Sequence, residues 1–436
     1  MTEGTGDRLL IRGGSRLSGS VAVHSAKNAV LPLLAAALLT RETLHLRAVP
    51  ALADVTTMGS LLGELGAELR EPAPGELQVR CVDVAGEAPY ALVRQMRASL
   101  LVMGPLLARL GRVRAGLPGG CAIGGRPIDL HLKGFAALGA EVSLRAGYVE
   151  ARAPAGLHGA RIYLDYPSHT GTENLMLAAV LAHGQTLIEN AAEEPEIVDL
   201  AGCLNAMGAR VSGAGTPVVR VDGVPALGAV DWTPIPDRIE AGTLLIATAA
   251  TRGEVELTGV VAHHLQAVVA KLRETGAEVW QEQGRVFLVA RRRPAAVDVK
   301  TLPYPGFPTD LQPQMTALLA TAEGIAAVTE TVFDNRLGHV DELRRMGANI
   351  RVEGRTALVT GVPRLSGAPV QASDLRAGAA LVLAGLAAAG ETEVHGRGHI
   401  ERGYADLPAQ LRSLGADIEA GPGRVAEPAR TLGGGA

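Results

Sequence analysis

The sequence predicts an α/β fold in two domains, each made of three repeated helix-strand subdomains. Three observations lead to this reading. A Gly-Ala pair closes an amphipathic run six times, at Gly66-Ala67, Gly139-Ala140, Gly208-Ala209, Gly276-Ala277, Gly347-Ala348 and Gly415-Ala416. An almost wholly apolar run accompanies each pair. A proline-rich stretch, Thr233-Pro-Ile-Pro-Asp237, falls between the third and fourth copies, where a crossing between domains is expected.

The repeat carries most of the prediction. Its interval of roughly 70 residues exceeds that of solenoid repeats, so each copy is expected to be a compact subdomain. A pattern such as Asp199-Leu-Ala-Gly-Cys-Leu-Asn-Ala-Met207 spells a helix and the glycine its C-cap, and an alternating run such as Glu141-Val-Ser-Leu144 or Glu278-Val-Trp280 spells the strand that follows. The second helix of each copy lacks a polar face and must be buried. These helices are expected over Ala29 to Leu39, Ala98 to Leu110, Asn174 to Ala182, Ala241 to Ala250, Leu311 to Ala322 and Leu375 to Ala389.

A chain of 436 residues is long enough for two such domains. Residues 25–235 are expected to form the first, with three repeats and the loop around Cys121, and residues 236–436 the second. Residues 1–24 are expected to return to the second domain as its first strand, so that the chain crosses twice.

Composition narrows the function. With a net charge of −4 and 3% aromatic residues, the chain offers neither a basic face nor stacking platforms for nucleic acid. Its apolar runs are shorter than the roughly 18 residues a membrane span requires, and its first residues do not resemble a secretory signal. Three cysteines, Cys81, Cys121 and Cys203, describe no disulfide framework, which fits a reducing, cytoplasmic setting. The eleven scattered histidines make no metal motif, and no Walker loop or dinucleotide fingerprint occurs, so neither metal nor cofactor is expected.

Charged residues gather where buried helices should begin: Ser25-Ala-Lys27-Asn28, Met96-Arg97-Ala-Ser99, Thr309-Asp310 and Ser373-Asp374-Leu-Arg376. Helix N-termini offer unpaired N–H groups and partial positive charge, so several aimed at one cleft make a pocket for phosphate and carboxylate. Arginines are repelled there, and their presence suggests an anionic ligand. Taken singly, Ser25, Thr309 and Ser373 also suit plain N-cap roles. A second constellation, Leu117-Pro-Gly-Gly-Cys121-Ala-Ile-Gly-Gly-Arg126-Pro127-Ile128-Asp129-Leu130-His131, reads as a mobile glycine-rich loop around a thiol. Cys81 and Cys203 read as packing residues.

These residues, in this order, closely resemble the UDP-N-acetylglucosamine enolpyruvyl transferases, the 1-carboxyvinyltransferases of cell-wall synthesis. The resemblance runs from about residue 8 to about residue 420, with specific strings such as Leu117-Pro-Gly-Gly-Cys121 and Glu194-Pro-Glu-Ile-Val-Asp199. It implies an inside-out α/β barrel in two domains. It also implies two substrates, phosphoenolpyruvate and UDP-N-acetylglucosamine, with no obligate protein partner. By similarity, Lys27 and Asn28 contact phosphoenolpyruvate, Arg126 and Arg402 join Lys27 around its phosphate, and Arg336 and Arg376 hold the carboxylate end. Arg97, the stretch Arg126 to Leu130, Ser168, His169, Asp310 and Val332 match positions that hold the UDP-sugar. Cys121 matches the loop cysteine that donates a proton and is the target of fosfomycin. His24-Ser25 and Tyr166-Pro-Ser168-His169 depart from the family's usual residues.

The chemistry explains the residue types. A sugar hydroxyl attacks C2 of an enol ether only as C3 gains a proton, so an acid and a base must act on opposite partners. Cys121 is assigned as the acid and Asp310 as the base, with the basic cluster stabilising the expelled phosphate. The nearest competing reading is the shikimate-pathway enolpyruvyl transferase, against which the Cys121 loop argues. A catalytically idle relative should have lost an acid or base residue.

Overall fold

A computed structural model describes residues 7–117 and 128–421 of the chain. Each Gly-Ala pair ends its helix in the same way. All six glycines take φ between +88° and +103°, a left-handed region that glycine enters without steric cost. The alanine N–H then reaches back five residues along the turn, as in Ala67 to Leu62, Ala140 to Phe135 and Ala348 to Leu343. The paired bonds satisfy carbonyls that the helix end would otherwise leave open, and the chain emerges aimed into a strand.

Among the described residues there are six four-stranded sheets of one topology. In each, the first strand runs parallel to the second, and the second and third, like the third and fourth, are antiparallel. The sheet Val230–Trp232, Thr43–Leu46, Leu77–Arg80, Glu68–Arg70 is an example. Alternate residues face inward, such as Leu44 and Leu46, as expected of a sheet covered on one side. The covering elements are the apolar helices: Lys27–Ala36, Met103–Leu110 and His169–Ala179 in one half, Arg238–Ala250, Gln312–Leu319 and Leu375–Ala387 in the other. Within each half these helices pack on one another with the sheets outside them, the inside-out arrangement expected. Two of the predicted helices begin as 3-10 turns, Arg97–Val102 and Thr309–Leu311.

Buried apolar side chains form two clusters. One runs from Val30 to Leu227, and the other joins Leu9, Ile11 and Leu17 to residues from Ile239 to Ile418. The segment ahead of His24, expected as one strand, forms two. Arg8–Arg12 lies between Glu391–His395 and Asp417–Ala420, while Ser18–Ala22 pairs parallel with Glu254–Thr258. Gly14, at φ +105°, stands in the break between them. Where the chain passes between halves its two segments lie side by side: the Ala26 N–H donates to the Ile235 carbonyl (2.7 Å) and the Asp237 N–H to that of His24 (2.8 Å). No helix among the described residues is long and apolar enough to cross a membrane.

Candidate active site

Asp310 lies in the 3-10 turn Thr309–Leu311, ahead of the buried helix Gln312–Leu319. Its Oδ1 accepts from Arg336 Nη2 at 2.7 Å and its Oδ2 from Arg376 Nη2 at 3.1 Å. Both arginines are buried. Burial alone would raise the Asp310 carboxyl, but Arg376, then Arg336 and Lys27, outweigh it and hold the group well below the usual carboxylate range. Two donors beside it, Arg336 Nε and Arg376 Nη1, are buried without a hydrogen-bond partner among the described residues. Such donors are costly unless a ligand meets them, and the helix dipole adds to the cost of placing Arg376 in a first turn.

A second basic pair faces Asp54, a buried carboxylate in the first turn of the helix Ala53–Glu64. Lys27 Nζ donates to its Oδ2 at 3.2 Å and Arg402 Nε to its Oδ1 at 2.9 Å. Asn28 follows Lys27 in the same first helical turn. The charge of Lys27 bears on Asp310 as well, so Lys27, Arg336, Arg376 and Arg402 surround one region through two carboxylates.

The N-cap roles open to Ser25, Thr309 and Ser373 fall elsewhere. Ala26 occupies the cap of Lys27–Ala36 with no side-chain bond; Asp237 lends its Oδ2 to the Lys27 N–H (3.4 Å) while its Oδ1 caps Arg238–Ala250. Asp374, not Ser373, caps Leu375–Ala387. The Thr309 hydroxyl instead donates to Glu330 and accepts from Arg336. A carboxylate accepts more strongly than a hydroxyl at a helix start, in keeping with Asp374 rather than Ser373 serving the start of Leu375–Ala387.

The residues matched to the sugar nucleotide are spread over both halves. Arg97 opens the turn Arg97–Val102, and its charge, after burial, helps to lower His131 to about 4. Neutral His131 accepts from Asn174 Nδ2 at 3.0 Å. Ile128 precedes, and Asp129 and Leu130 begin, the helix Asp129–Ala137. Ser168 caps the helix His169–Ala179 through the Gly171 N–H. His169 stands 3.1 Å from Glu173, one turn on. Glu196, of the first half, holds Arg238 Nε at 3.1 Å. Val332, in the second half, gives its N–H to Glu330 at 2.7 Å. The structure brings Lys27, Asp310, Arg336, Arg376 and Arg402 together; Ser168 and His169 engage Gly171 and Glu173. Cys121, Arg126 and Pro127 lie outside the described residues.

Sequence reasoning missed Asp54, Glu330 and Tyr404. Tyr404 is fully buried behind Arg376, its ring centroid 5.3 Å from the guanidinium, and its hydroxyl meets Gln314 and Thr243. The one available signal was an acidic residue opening an otherwise apolar helical turn, as at Asp54. Nothing in the spacing of Glu330 marks it.

A family model described as EPSP synthase (3-phosphoshikimate 1-carboxyvinyltransferase) matches residues 11–411. The UDP-N-acetylglucosamine 1-carboxyvinyltransferase 2 of Carboxydothermus hydrogenoformans is 58% identical over 95% of this chain and 99% of its own length. The UDP-N-acetylglucosamine 1-carboxyvinyltransferase of Anaeromyxobacter sp. (strain Fw109-5) is 56% identical over 94% and 99%. Among solved structures, the enolpyruvyl transferase NikO from Streptomyces tendae matches with a TM-score of 0.86 at 27% identity, over 95% of this chain and 99% of that one. EPSP synthase from Acinetobacter baumannii, at 18% identity and a TM-score of 0.72 over 94% and 99%, shares the fold. Fold and relatives together define an enolpyruvyl transferase. The chain belongs to the EPSP synthase family and, within it, to the UDP-N-acetylglucosamine 1-carboxyvinyltransferases.

Proposed function

We propose that the protein transfers the enolpyruvyl group of phosphoenolpyruvate to the 3-hydroxyl of UDP-N-acetylglucosamine and releases phosphate, a step of peptidoglycan precursor synthesis. The names of relatives 54–58% identical over nearly the whole chain support the acceptor. The observation that carries the chemistry is Asp310, an ionised carboxylate pinned between two buried arginines that still have donors to offer.

In this reading Lys27 and Arg402, with Arg126, take the donor's phosphate, and Arg336 and Arg376 its carboxylate. Asn28 lies beside the donor. Arg97, Arg126, Pro127, Ile128, Asp129, Leu130, Ser168, His169 and Val332 hold the sugar nucleotide. Once the donor's carboxylate engages the arginines, their pull on Asp310 weakens and its basicity rises. Asp310 then accepts the proton of the sugar 3-hydroxyl as its oxygen bonds to C2 of the donor, while the Cys121 thiol delivers a proton to C3. Transfer of a proton from C3 to the Cys121 thiolate and loss of phosphate from C2 restore the double bond, and the cationic cluster stabilises the leaving charge. Side chains supply every proton and charge in this sequence, so it calls for no metal ion or redox cofactor. Approach of the two halves would exclude water from the step. The cytoplasm is the setting assigned, in keeping with the free, buried thiols of Cys81 and Cys203.

The family model's own name favours a second acceptor, shikimate 3-phosphate. Phosphate release from phosphoenolpyruvate, measured with each acceptor in turn, separates them. Release with UDP-N-acetylglucosamine alone is expected, and Asp310→Asn should slow it by roughly a hundredfold or more. Turnover with shikimate 3-phosphate alone would overturn the reading.

A further inference from the structure

Glu330 is almost completely buried, directly after the strand Ile325–Thr329, and is surrounded by donors. Its Oε1 accepts from the N–H groups of Val332 (2.7 Å) and Phe333 (3.1 Å) and from the Thr301 hydroxyl (2.9 Å). Its Oε2 accepts from the Thr309 hydroxyl at 2.8 Å. A carboxylate meeting four donors serves as acceptor only.

That constraint sets the direction of everything attached to it. A threonine hydroxyl has one hydrogen. Since Glu330 takes it, the Thr309 oxygen is left to accept, and Arg336 Nη1 donates to it at 3.0 Å. Held at that edge, the same guanidinium presents Nη2 to Asp310 Oδ1 at 2.7 Å. The chain therefore runs one way, from Arg336 through Thr309 to Glu330, and Arg336 is oriented by the protein's own groups. The Val332 and Phe333 amides are drawn into the same carboxylate, so the turn that carries Val332 shares its anchor.

We propose that Glu330 is a positioning residue for the transfer reaction. Acting through Thr309 and Arg336, it sets the orientation and charge environment of Asp310, and through the Val332 amide it places the acceptor-binding turn in register with that base. The inference rests on the reading of Asp310 as the base and deepens it. Replacing Glu330 by Gln forces an NH₂ group against either Thr309 or the two backbone donors, since an amide offers one acceptor oxygen where four donors converge.

The test compares Thr309→Val, Glu330→Gln, their combination and Thr309→Ser, reading kcat and the pH dependence of kcat/KM for phosphate release from phosphoenolpyruvate with UDP-N-acetylglucosamine. Thr309→Val preserves volume at a half-buried position, so it tests the chain even where Glu330→Gln fails to fold. Each of Thr309→Val and Glu330→Gln should lower kcat roughly ten- to hundredfold, the range a small misplacement near the chemistry produces. Both should also move the acid limb of kcat/KM to higher pH, because a loosened Arg336 holds the Asp310 carboxyl down less well. The combination should fall no further than the worse single variant, and Thr309→Ser, which keeps the hydroxyl, should recover most of the rate lost in Thr309→Val. An unmoved acid limb, additive losses or a Thr309→Val enzyme of wild-type rate would each overturn the proposal. Failure of the unaltered protein to release phosphate would instead defeat the functional reading beneath it.

Discussion

Asp54 receives Arg402 at 2.9 Å although the two residues lie 348 positions apart in the chain. The other oxygen of the same carboxylate holds Lys27. Asp54 thus places its charge between the two cations proposed to take the donor's phosphate. Asp54→Asn should leave the buried ammonium of Lys27 short of its counter-ion and lower stability by about 3 kcal/mol. Inorganic phosphate should then raise the Tm of the variant more than that of the unaltered protein, because ligand binding to the folded state adds stability by mass action. Equal shifts in the two proteins would remove Asp54 from this role.

The three thiols should react very unequally. Burial pushes Cys203 up to about 12 and Cys81 up to about 11, the latter partly offset by Arg109, and the thiolate is the nucleophile. Fosfomycin, a thiol-directed epoxide, is expected to stop phosphate release and to add to Cys121. Mapping the adduct to Cys81 or Cys203 by mass spectrometry would contradict the assignment of the loop thiol.

His24 lies in the crossing and gives a stability signal that depends on pH. Its Nδ1 meets Glu240 Oε1 at 3.0 Å, Gln410 Nε2 bonds the same oxygen, and Asp406 and Asp237 add their charge. The hydrogen bond to Glu240 leads the effects that raise the His24 pKa above 6.5; burial opposes them. A raised folded-state pKa contributes stability below the unfolded value, lost as pH rises through the folded one. The imidazole is partly exposed, so the contribution is screened to at most about 1 kcal/mol. His24→Gln should therefore lower Tm at pH 5.5 and converge on the unaltered protein at pH 9. A Tm difference that grows with pH would reverse the sign.

Close contact between the helices Met103–Leu110 and His169–Ala179 depends on a missing side chain at Gly104. A Cβ on Gly104 would sit 2.4 Å from the Asn174 carbonyl oxygen and 2.5 Å from its Oδ1, the atom that accepts the Gly104 N–H at 2.8 Å. Gly104→Ala should cost about 1–3 kcal/mol through overpacking and displace Asn174 from His131, beside Arg97. Chemical denaturation with an unchanged midpoint would show that the helices can separate without penalty.

Much of the fold was legible because it is local. The repeat of helix, positive-φ glycine and alternating strand is written within short windows of sequence, as Phe135 to Leu144 shows. The apolar helices were legible because a helix with no polar face has one stable location. The split of the first residues into two strands was less so. Arg8–Arg12 alternates buried and partly buried residues whereas Ser18–Ala22 is exposed except at Val21, and they enter different sheets whose other strands lie hundreds of residues away.

The site divides along the same line. Lys27, Arg97, Asp310 and Arg376 announced themselves as charges at the starts of apolar helices, and the resemblance supplied Arg336 and Arg402. Glu330 and Tyr404 did not stand out, since each is ordinary among its sequence neighbours and unusual only for what surrounds it in space, and Asp54 carried only the weak signal of an acid opening an apolar helical turn.

By itself, then, the order of residues determined the repeating unit, the buried helices and the concentration of positive charge at their beginnings. These follow from periodicity and backbone conformation, which act between residues close in the chain. The tertiary structure alone decided which charges meet: Asp54 with Lys27 and Arg402, Asp310 with Arg336 and Arg376, Glu330 with Thr309. Coulomb and hydrogen-bond energies depend on distance and on the exclusion of water, and both are settled only when segments remote in sequence pack together.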